Sequence, residues 1–339
     1  MTVLITGGAG FIGSNFVKLH IKRHPDVKVV VLDVLTYCGN MDNFPPEILE
    51  NDDFEFIHGD IRDRELVEKI MARVDRVIHF AAETHIDRSI DNSDPFISTD
   101  VKGTQVLLEA ARKHPVERFI HISTSEVYGT AEQIPMTEEH PLKPKSPYAA
   151  AKCGADRLAY AYFVTHDVPT CIIRPFNNYG PNQFPEKLIP LFITNAMEDK
   201  DLPVYGTGKN TRDWLYVEDC CDALDRVLNA DVESVKGEVI NLGTGKDYDV
   251  LTITGLILDG LGKPRSLTRH VGDRPGHVER LISSTDKARA VLRWEARTGL
   301  EEGLRTTVDW FKANKDWWEK IKKGRREYQD FYKEWYSRL

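Results

Sequence analysis

Residues 2–16 read TVLITGGAGFIGSNF, and this stretch decides the fold. A short apolar strand leads into glycines spaced GxxGxxG, and an apolar helical pattern then continues to about His24. The next apolar run, VKVVVLD, ends in Asp33, twenty residues after Gly13. A strand, a glycine turn, a helix and a second strand ending in an acid predict an α/β fold with a Rossmann-type, doubly wound parallel sheet.

Each part of this motif has a physical role in holding a dinucleotide. Gly7, Gly10 and Gly13 let the backbone approach a pyrophosphate, whose charge the helix N-terminus stabilises. The Asp33 carboxylate can hydrogen-bond a ribose diol and would repel a 2′-phosphate at the same place. The sequence therefore predicts NAD rather than NADP as the cofactor.

Apolar runs and helical patterns keep alternating to about residue 175, as a doubly wound sheet requires. Asp60 and Ile61 follow the third run and are placed to border the adenine, while Ala81 and Ala82 follow the fourth run and allow close approach of the cofactor. Residues 1–175 are therefore predicted to form the NAD-binding domain, and residues 176–339 a smaller substrate-binding portion. The boundary is interleaved, because GEVINLGTG (237–245) has the pattern of a strand returning to the sheet.

The segment 121–152 carries the candidate chemistry. Thr124, Ser125 and Glu126 stand where an apolar run ends, and Tyr148 and Lys152 are four residues apart, on one face of a helix. The Lys152 ammonium and a positive nicotinamide ring would both favour the Tyr148 phenolate. That phenolate could take a proton from a sugar hydroxyl, oriented by Thr124, while the carbon loses hydride to NAD⁺. The pattern indicates redox and proton-transfer chemistry on a sugar.

The second half of the chain has frequent turn residues and scattered cations that suit a diphosphate. Residues 267–288 are predicted to be loop-like. The candidate cations are Lys187, Lys209, Arg212, Arg269, Arg274 and Arg280.

Several motifs together resemble the extended short-chain dehydrogenase/reductase family, and within it the dTDP-glucose 4,6-dehydratases. The resemblance covers about residues 2–310 and rests on GGAGFIGSN, LDVLTYCGN, HFAAETHIDRSI, STSEVYG, SPYAAAK, RPFNNYGPNQFPEKLIP, LPVYGTGKNTRDWLYVED and GDRPGHVER. It implies a tightly held NAD that is regenerated in each turnover, and a homodimer built on two helices from each subunit.

The resemblance also implies contact residues. Those for the cofactor are Phe11, Ile12, Asp33, Asp60, Ile61, Thr99, Tyr148, Lys152 and Asn178. Those for the substrate are Thr84, Thr124, Asn177, Lys187, Leu188, Tyr205, Arg212, Asn241 and the loop from Asp273 through Arg274 to His277.

The implied reaction converts an NDP-hexose, such as dTDP-glucose or a UDP-sugar, to its 4-keto-6-deoxy form. Oxidation at C4 acidifies the C5 proton, a base removes that proton, water leaves from C6, and hydride returns to C6. The family usually reads Thr-Asp-Glu where this chain reads Thr124-Ser125-Glu126. A serine hydroxyl is too weak an acid to expel water. Ser125 is therefore expected to hold a water or orient the C6 oxygen, with Glu126 both taking the C5 proton and passing it on.

Three alternative functions share this fold. A UDP-glucuronate decarboxylase resembles the chain, but that class has an arginine where this chain has Asn182. An NDP-sugar 4-epimerase needs only Tyr148 and Lys152, and would leave Glu126 without a role. A non-catalytic sugar-nucleotide binding protein has no need of a base, so an intact Thr124, Tyr148 and Lys152 argue against it. Three classes resemble this chain in having Thr-Ser-Glu: GDP-mannose 4,6-dehydratases, dehydratases acting on nucleotide-linked N-acetylglucosamine, and UDP-glucuronate decarboxylases. Dehydration therefore remains feasible with this triplet.

The composition limits the possible partners and location. Of 339 residues, 41% are hydrophobic and 29% charged, and the net charge of −8 argues against nucleic-acid binding. No apolar run approaches the roughly 20 residues of a membrane helix, and the N-terminus lacks a signal pattern, so a cytoplasmic location is expected. No metal site is predicted, because the cysteines have no CxxC spacing and read as reduced thiols: Cys38, Cys153, Cys171, Cys220 and Cys221.

The last thirty residues, from Trp310 to Leu339, differ from the rest. They contain nine basic residues against five acidic ones, and four of the six tryptophans. We expect a terminal helical segment that packs its aromatic side chains on the body of the protein, with a docking tail as the alternative.

Overall fold

The computed structural model describes residues 1–337. Its centre is a sheet of seven strands, which are β1 (Thr2–Thr6), β2 (Lys28–Asp33), β3 (Phe54–His58), β4 (Arg76–His79), β5 (Arg118–Ile122), β6 (Thr170–Pro175) and β10 (Val239–Leu242). All seven are parallel and lie in the order β10-β6-β5-β4-β1-β2-β3. This confirms the predicted fold class.

Helices cover both faces of this sheet because successive side chains of each strand point to opposite sides. Val3 and Ile5 of β1 pack in one apolar cluster with α1, α9 and α12, whereas Leu4 packs in another cluster with α3, α6 and α7. The helices are α1 (Phe11–Arg23), α2 (Pro46–Leu49), α3 (Arg64–Met71), α4 (Ile86–Asp91), α5 (Asp94–Phe96), α6 (Thr104–Lys113), α7 (Pro147–His166), α8 (Leu188–Met197), α9 (Val217–Asn229), α10 (Val232–Val235), α11 (Val250–Leu261), α12 (Asp286–Leu292), α13 (Leu300–Ala313), α14 (Lys315–Gly324) and α15 (Arg326–Ser337). A π-helix, Ile97–Gly103, runs directly into α6.

Smaller sheets lie in the second half of the chain, where α8, α11 and α13 share a third apolar cluster. The loop predicted for residues 267–288 is wrong in part: Thr268–Val271 pairs with Leu202–Tyr205, and Arg280–Leu281 pairs with Thr211–Tyr216. These strands are too short to show a pattern of their own, and distant partners stabilise them. The remaining strands are β7 (Asn177–Tyr179), β8 (Leu202–Tyr205), β9 (Thr211–Tyr216), β11 (Asp247–Asp249), β12 (Thr268–Val271) and β13 (Arg280–Leu281).

The C-terminal segment forms α13, α14 and α15, and its aromatic side chains pack on the body of the protein. Trp318 is fully buried and Trp335 is 8% exposed. The last two residues of the predicted tail, 338 and 339, lie outside the described residues. Within the described part of the chain, none of the helices has both the length and the apolar character needed to cross a membrane.

Candidate functional site

One cavity of about 840 Å³ lies at the carboxyl ends of the sheet strands, where an open α/β sheet places its ligand. It brings together most of the predicted site residues. Those lining it on the cofactor side are Gly7, Gly10, Phe11, Ile12, Gly13, Asp33, Asp60, Ile61, Ala81, Ala82, Thr99, Tyr148, Lys152 and Asn178. Those lining it on the substrate side are Thr84, Thr124, Ser125, Glu126, Asn177, Lys187, Leu188, Tyr205, Arg212, Arg274 and His277.

The glycine turn forms a cradle that side chains would fill. Gly7 has a positive φ of 70°, and a Cβ there would lie 2.5 Å from the Ala81 nitrogen. A Cβ on Gly13 would lie 2.4 Å from the Gly7 carbonyl oxygen. Gly10 precedes α1, whose N-terminus has no side-chain cap. The backbone amides are therefore free to meet a pyrophosphate, and the residues present fit a dinucleotide.

Asp33 is held at the end of β2 by two backbone amides. Its carboxylate accepts hydrogen bonds from the nitrogens of Ala9 (2.9 Å) and Leu35 (2.8 Å), which fix its orientation towards the cavity. Burial raises the pKa of Asp33 above its usual range, although both amides oppose the shift. Asp60, further along the same edge, forms an ion pair with Arg62 that the sequence did not indicate.

Helix α7 positions the Tyr148–Lys152 pair. Ser146 caps the helix by accepting a hydrogen bond from the Ala149 nitrogen (3.1 Å), and Pro147 occupies the first turn, where no amide hydrogen is needed. Tyr148 and Lys152 are both buried, one turn apart. The Lys152 ammonium donates to the Ile122 carbonyl (2.6 Å) at the end of β5.

The pKa values of this pair are dominated by burial. Burial raises the pKa of Tyr148 well above its ordinary value, although a hydrogen bond with Thr124 opposes the shift, and it lowers the pKa of Lys152. Lys152 is therefore not sufficient by itself to produce the phenolate. The phenol of Tyr148 is neutral at pH 7 in the protein alone. Formation of the phenolate therefore depends more on the positive nicotinamide ring of the predicted cofactor.

Ser125 and Glu126 lie in a short 3-10 helix, Ser125–Tyr128, that follows β5. The Thr124 hydroxyl accepts a hydrogen bond from the Glu126 nitrogen (3.2 Å), which directs this turn into the cavity. The Glu126 carboxylate lies 3.8 Å from the guanidinium of Arg212. Burial lowers the pKa of Arg212 to about 10, so it remains a cation at neutral pH and a partner for the carboxylate.

A second buried carboxyl, Asp100, lies close to the Tyr148–Lys152 pair and was not predicted from the sequence. It is 1% exposed and lies in the π-helix packed on α7. One oxygen accepts a hydrogen bond from the Glu83 nitrogen (2.8 Å), while the other has no partner among the described residues. Burial raises the pKa of Asp100 to about 7, against the opposing charge of Lys152. An acid in the middle of an amphipathic helix gave no signal in the sequence.

The substrate side is organised by a chain of polar contacts. The Tyr205 hydroxyl donates to Asp87 (2.9 Å), and Arg274 donates to the other oxygen of Asp87 (3.1 Å). Lys187 donates to the Thr84 carbonyl (2.6 Å). Burial and the charge of Arg274 lower the pKa of His277 to about 4, so its imidazole is neutral at pH 7. Asp87 joins Tyr205 to Arg274 by accepting a hydrogen bond from each. Its role was not predicted, although it lies in the motif HFAAETHIDRSI.

Several predicted residues lie outside the cavity. Asn241 is fully buried in β10, where its side chain accepts from the Tyr128 hydroxyl (2.7 Å) and donates to the Met136 carbonyl (3.1 Å). The side chain of Asn241 therefore has a structural role in this fold, instead of the predicted contact with the substrate. Asp273 is not among the lining residues and pairs with His277 (2.6 Å).

Three of the candidate cations also lie away from the cavity. Arg269 pairs with Asp201 and Arg280 pairs with Asp247, and neither arginine lines the cavity. Lys209 is exposed and does not line the cavity. Lys187, Arg212 and Arg274 are the predicted cations that do.

A glycine cradle for a dinucleotide and a Tyr148–Lys152 pair in the same cavity define an extended short-chain dehydrogenase/reductase. The chain belongs to the GDP-mannose 4,6-dehydratase family, whose model matches residues 4–307. It is 49% identical to the low-salt glycan biosynthesis protein Agl12 of Haloferax volcanii, over 92% of this chain and 98% of that protein. It is 46% identical to a dTDP-glucose 4,6-dehydratase of Streptomyces niveus, over 95% of this chain and 96% of the relative.

A solved structure agrees with these relatives. A double mutant of the dTDP-glucose 4,6-dehydratase DesIV from Streptomyces venezuelae, crystallised with NAD bound, superimposes with a TM-score of 0.91 at 43% identity. The superposition covers 95% of this chain and all of that one.

Proposed function

We propose that this chain is an NAD-dependent nucleotide-sugar 4,6-dehydratase, a hydro-lyase that converts an NDP-hexose to the NDP-4-keto-6-deoxyhexose. The observation that carries the proposal is the position of Glu126. Its carboxylate lines the same cavity as Tyr148, Lys152 and the glycine cradle, and Arg212 holds it there. An epimerase has no use for that carboxylate. The relatives named as dTDP-glucose 4,6-dehydratases support the same reaction.

The cofactor-side residues of the cavity would hold NAD. Gly7, Gly10 and Gly13 would face the pyrophosphate, and Asp33 would face a ribose diol. When bound, NAD supplies a hydride acceptor at C4 of the sugar and returns the hydride at C6. Because Asp33 offers a carboxylate where NADP carries a 2′-phosphate, the unphosphorylated cofactor is favoured.

The side chains of this cavity divide the proton transfers between two regions. Tyr148, hydrogen-bonded with Thr124, takes the proton of the C4 hydroxyl in its phenolate form, which the positive nicotinamide ring of bound NAD would favour. Glu126 takes the C5 proton once a C4 ketone has acidified it and passes that proton to the C6 hydroxyl, which leaves as water. C5 regains a proton from solvent when the hydride returns to C6, and Tyr148 releases to solvent the proton that it took. Ser125, which lines the cavity beside Glu126, orients the C6 oxygen. A single carboxyl group acting twice replaces the usual acid–base pair.

The substrate-side residues suit a nucleoside diphosphate. Lys187, Arg212 and Arg274 bring three cations to one wall of the cavity, as a diphosphate requires. Tyr205 and Leu188 add apolar surface for a base or sugar. This combination supports a nucleoside diphosphate-linked hexose, and the relatives named as dTDP-glucose 4,6-dehydratases favour a pyrimidine nucleotide, dTDP or UDP.

Mass spectrometry on a panel of dTDP-, UDP-, GDP- and CDP-sugars tests the function. Loss of one water from a 6-hydroxy hexose is the expected result. Loss of carbon dioxide from a UDP-glucuronate would indicate a decarboxylase, and an unchanged mass with a new retention time would indicate an epimerase. Either result in place of water loss overturns the proposal. Nucleotide released by denaturing the purified protein should be NAD.

We also propose a homodimer that buries one face of α7. Tyr160 and Val164, one turn apart on α7, are 42% and 61% exposed, and Ile97 in the adjacent π-helix is 51% exposed. Apolar side chains that recur at helical spacing on a surface helix favour a matching helix as the partner, and a two-fold axis provides one. Val164→Glu should shift the protein to monomer in sedimentation, whereas a dimer that persists would contradict this interface.

We propose that residues 1–175 supply most of the cofactor contacts and residues 176–339 most of the contacts to the nucleoside diphosphate. The boundary is interleaved, because β10 pairs with β6 in the large sheet and because Thr124 and Glu126 lie on the substrate side of the cavity. A reducing, cytoplasmic location is supported by the five cysteines, all of which are free thiols. Burial raises the pKa of several of them, to about 12 for Cys38, Cys171 and Cys220, which makes them unreactive.

A further inference from the structure

Helices α14 and α15 lie beyond residue 307, where the match to the family model ends, yet they reach both sides of the cavity. On the cofactor side, Arg325 donates to the carbonyls of Tyr37 and Gly39, and Trp317 donates to the Asn43 side chain (3.0 Å). Gly39 lines the cavity. These contacts attach the tail to the loop that follows Asp33.

On the substrate side, α15 contacts Tyr205, Arg88 and His85. The Trp335 indole nitrogen donates to the Tyr205 hydroxyl (2.7 Å). The Phe331 ring lies 4.2 Å from the guanidinium of Arg88, which the Tyr37 ring covers at the same distance. Phe331 also meets the ring of His85 edge-on, and His85 lines the cavity.

The hydrogen bond from Trp335 fixes the orientation of the Tyr205 hydroxyl. The phenol accepts from Trp335 and donates to Asp87, which in turn accepts from Arg274. Both functions of the hydroxyl are therefore in use, and the ring is what Tyr205 presents to the cavity. A fixed ring and a fixed guanidinium form a preorganised surface, which lowers the entropic cost of binding a ligand.

We propose that α15 is a positioning element of the nucleotide-sugar site, with Trp335 acting through Tyr205 to hold the Tyr205–Asp87–Arg274 wall for the nucleoside diphosphate. This inference rests on the proposed function. Trp335 does not line the cavity, so its role is to hold Tyr205 rather than to touch the ligand.

Trp335→Phe is the decisive variant, because it keeps an aromatic ring and removes the N–H donor, and the loss of ring volume that accompanies it is matched in the control below. Binding of dTDP and UDP is measured by calorimetry on the full chain, and kcat and KM are measured on whichever sugar the panel identifies. Affinity should fall about fivefold, as expected for one lost hydrogen bond, with KM raised and kcat nearly unchanged. Trp318→Phe is the matched control: its indole nitrogen donates to the Phe311 carbonyl (3.0 Å), in the same tail but not in the cavity wall.

A double-mutant cycle separates positioning from simple packing. If Trp335 acts through Tyr205, then Trp335→Phe should add no further loss in a Tyr205→Phe background. Additive losses, normal affinity in Trp335→Phe, or an equal loss in Trp318→Phe would overturn the inference. Failure of the wild type to bind either nucleotide would instead overturn the proposed dTDP- or UDP-linked substrate.

Discussion

The Glu126 carboxylate lies 3.8 Å from the Arg212 guanidinium, and both side chains are buried in the cavity that also contains Tyr148. The two residues are 86 positions apart in the chain, so only the fold brings them together. A charged partner fixes the carboxylate in one place, which is what a base for a specific carbon-bound proton requires. Two proton acceptors in one site, Tyr148 and Glu126, predict that oxidation and elimination can be blocked separately.

Glu126→Gln should stop elimination while leaving oxidation intact. The amide keeps the shape of the side chain but cannot accept the C5 proton, so turnover should fall by about 10²–10⁴. Hydride transfer should continue, and the absorbance of reduced nicotinamide should appear on mixing the variant with substrate. That signal also shows that the variant is folded. Normal turnover would remove Glu126 from its role.

Tyr148→Phe should block the earlier stage. The phenol is hydrogen-bonded with Thr124, and its ring packs on Phe96 with centroids 6.2 Å apart. Phenylalanine keeps that ring contact and removes the oxygen that, as the phenolate, accepts the C4 proton. Turnover should fall by about 10²–10⁴, this time without reduced nicotinamide. Appearance of reduced nicotinamide at the wild-type rate would contradict the assignment.

Ser125→Asp tests how water is expelled. A new carboxyl beside Glu126 would have its pKa raised by the like charge, so it would keep a proton to donate to the C6 oxygen. Dehydration of a 6-hydroxy sugar should be faster by about tenfold. Ser125→Asn is the matched control, since it has the same shape without the acid. No gain, or an equal gain from asparagine, would mean that proton donation at this position does not limit the reaction.

The parts of the molecule built from local patterns were predictable from sequence. Residues 2–33 form β1, α1 and β2 as their spacing indicated, and Tyr148 and Lys152 share one face of α7. In each case the determining signal lies within a few residues: a glycine turn, a cap at Ser146, or a spacing of four. The fold class and most of the lining residues followed from these signals and from the family resemblance.

The parts built from distant pairings were not predictable. Asn241 lies in a recognisable strand, but hydrogen bonds with Tyr128 and Met136 hold its side chain outside the cavity. The strand Thr268–Val271 depends on residues 202–205 for its hydrogen bonds. Trp335 reaches Tyr205 across 130 positions, and no periodicity within the tail encodes that contact.

The buried carboxyl of Asp100 predicts an unusual dependence of stability on pH. Its folded pKa is about 7, raised by burial from an ordinary value of 3.8. Below pH 4 the group is protonated in both states. Between pH 4 and pH 7 the unfolded chain ionises first, so the folded state loses stability as pH rises, and the loss levels off above pH 7. Asp100→Asn should remove a loss of about 2–4 kcal/mol across this window.

Urea unfolding at pH 4.5 and pH 7.5 measures the effect as a difference between wild type and variant, so that other titrating groups cancel. Asp156 supplies a control of opposite sign: it is fully buried, pairs with Arg174 at 2.9 Å, and its pKa is lowered, chiefly by that guanidinium working against the effect of burial. Asp156→Asn should therefore cost stability at both pH values, because its carboxylate is charged in the folded state throughout the window. If Asp100→Asn follows the same pH dependence as wild type, the Asp100 carboxyl is already ionised at pH 4.5, with Lys152 as its partner.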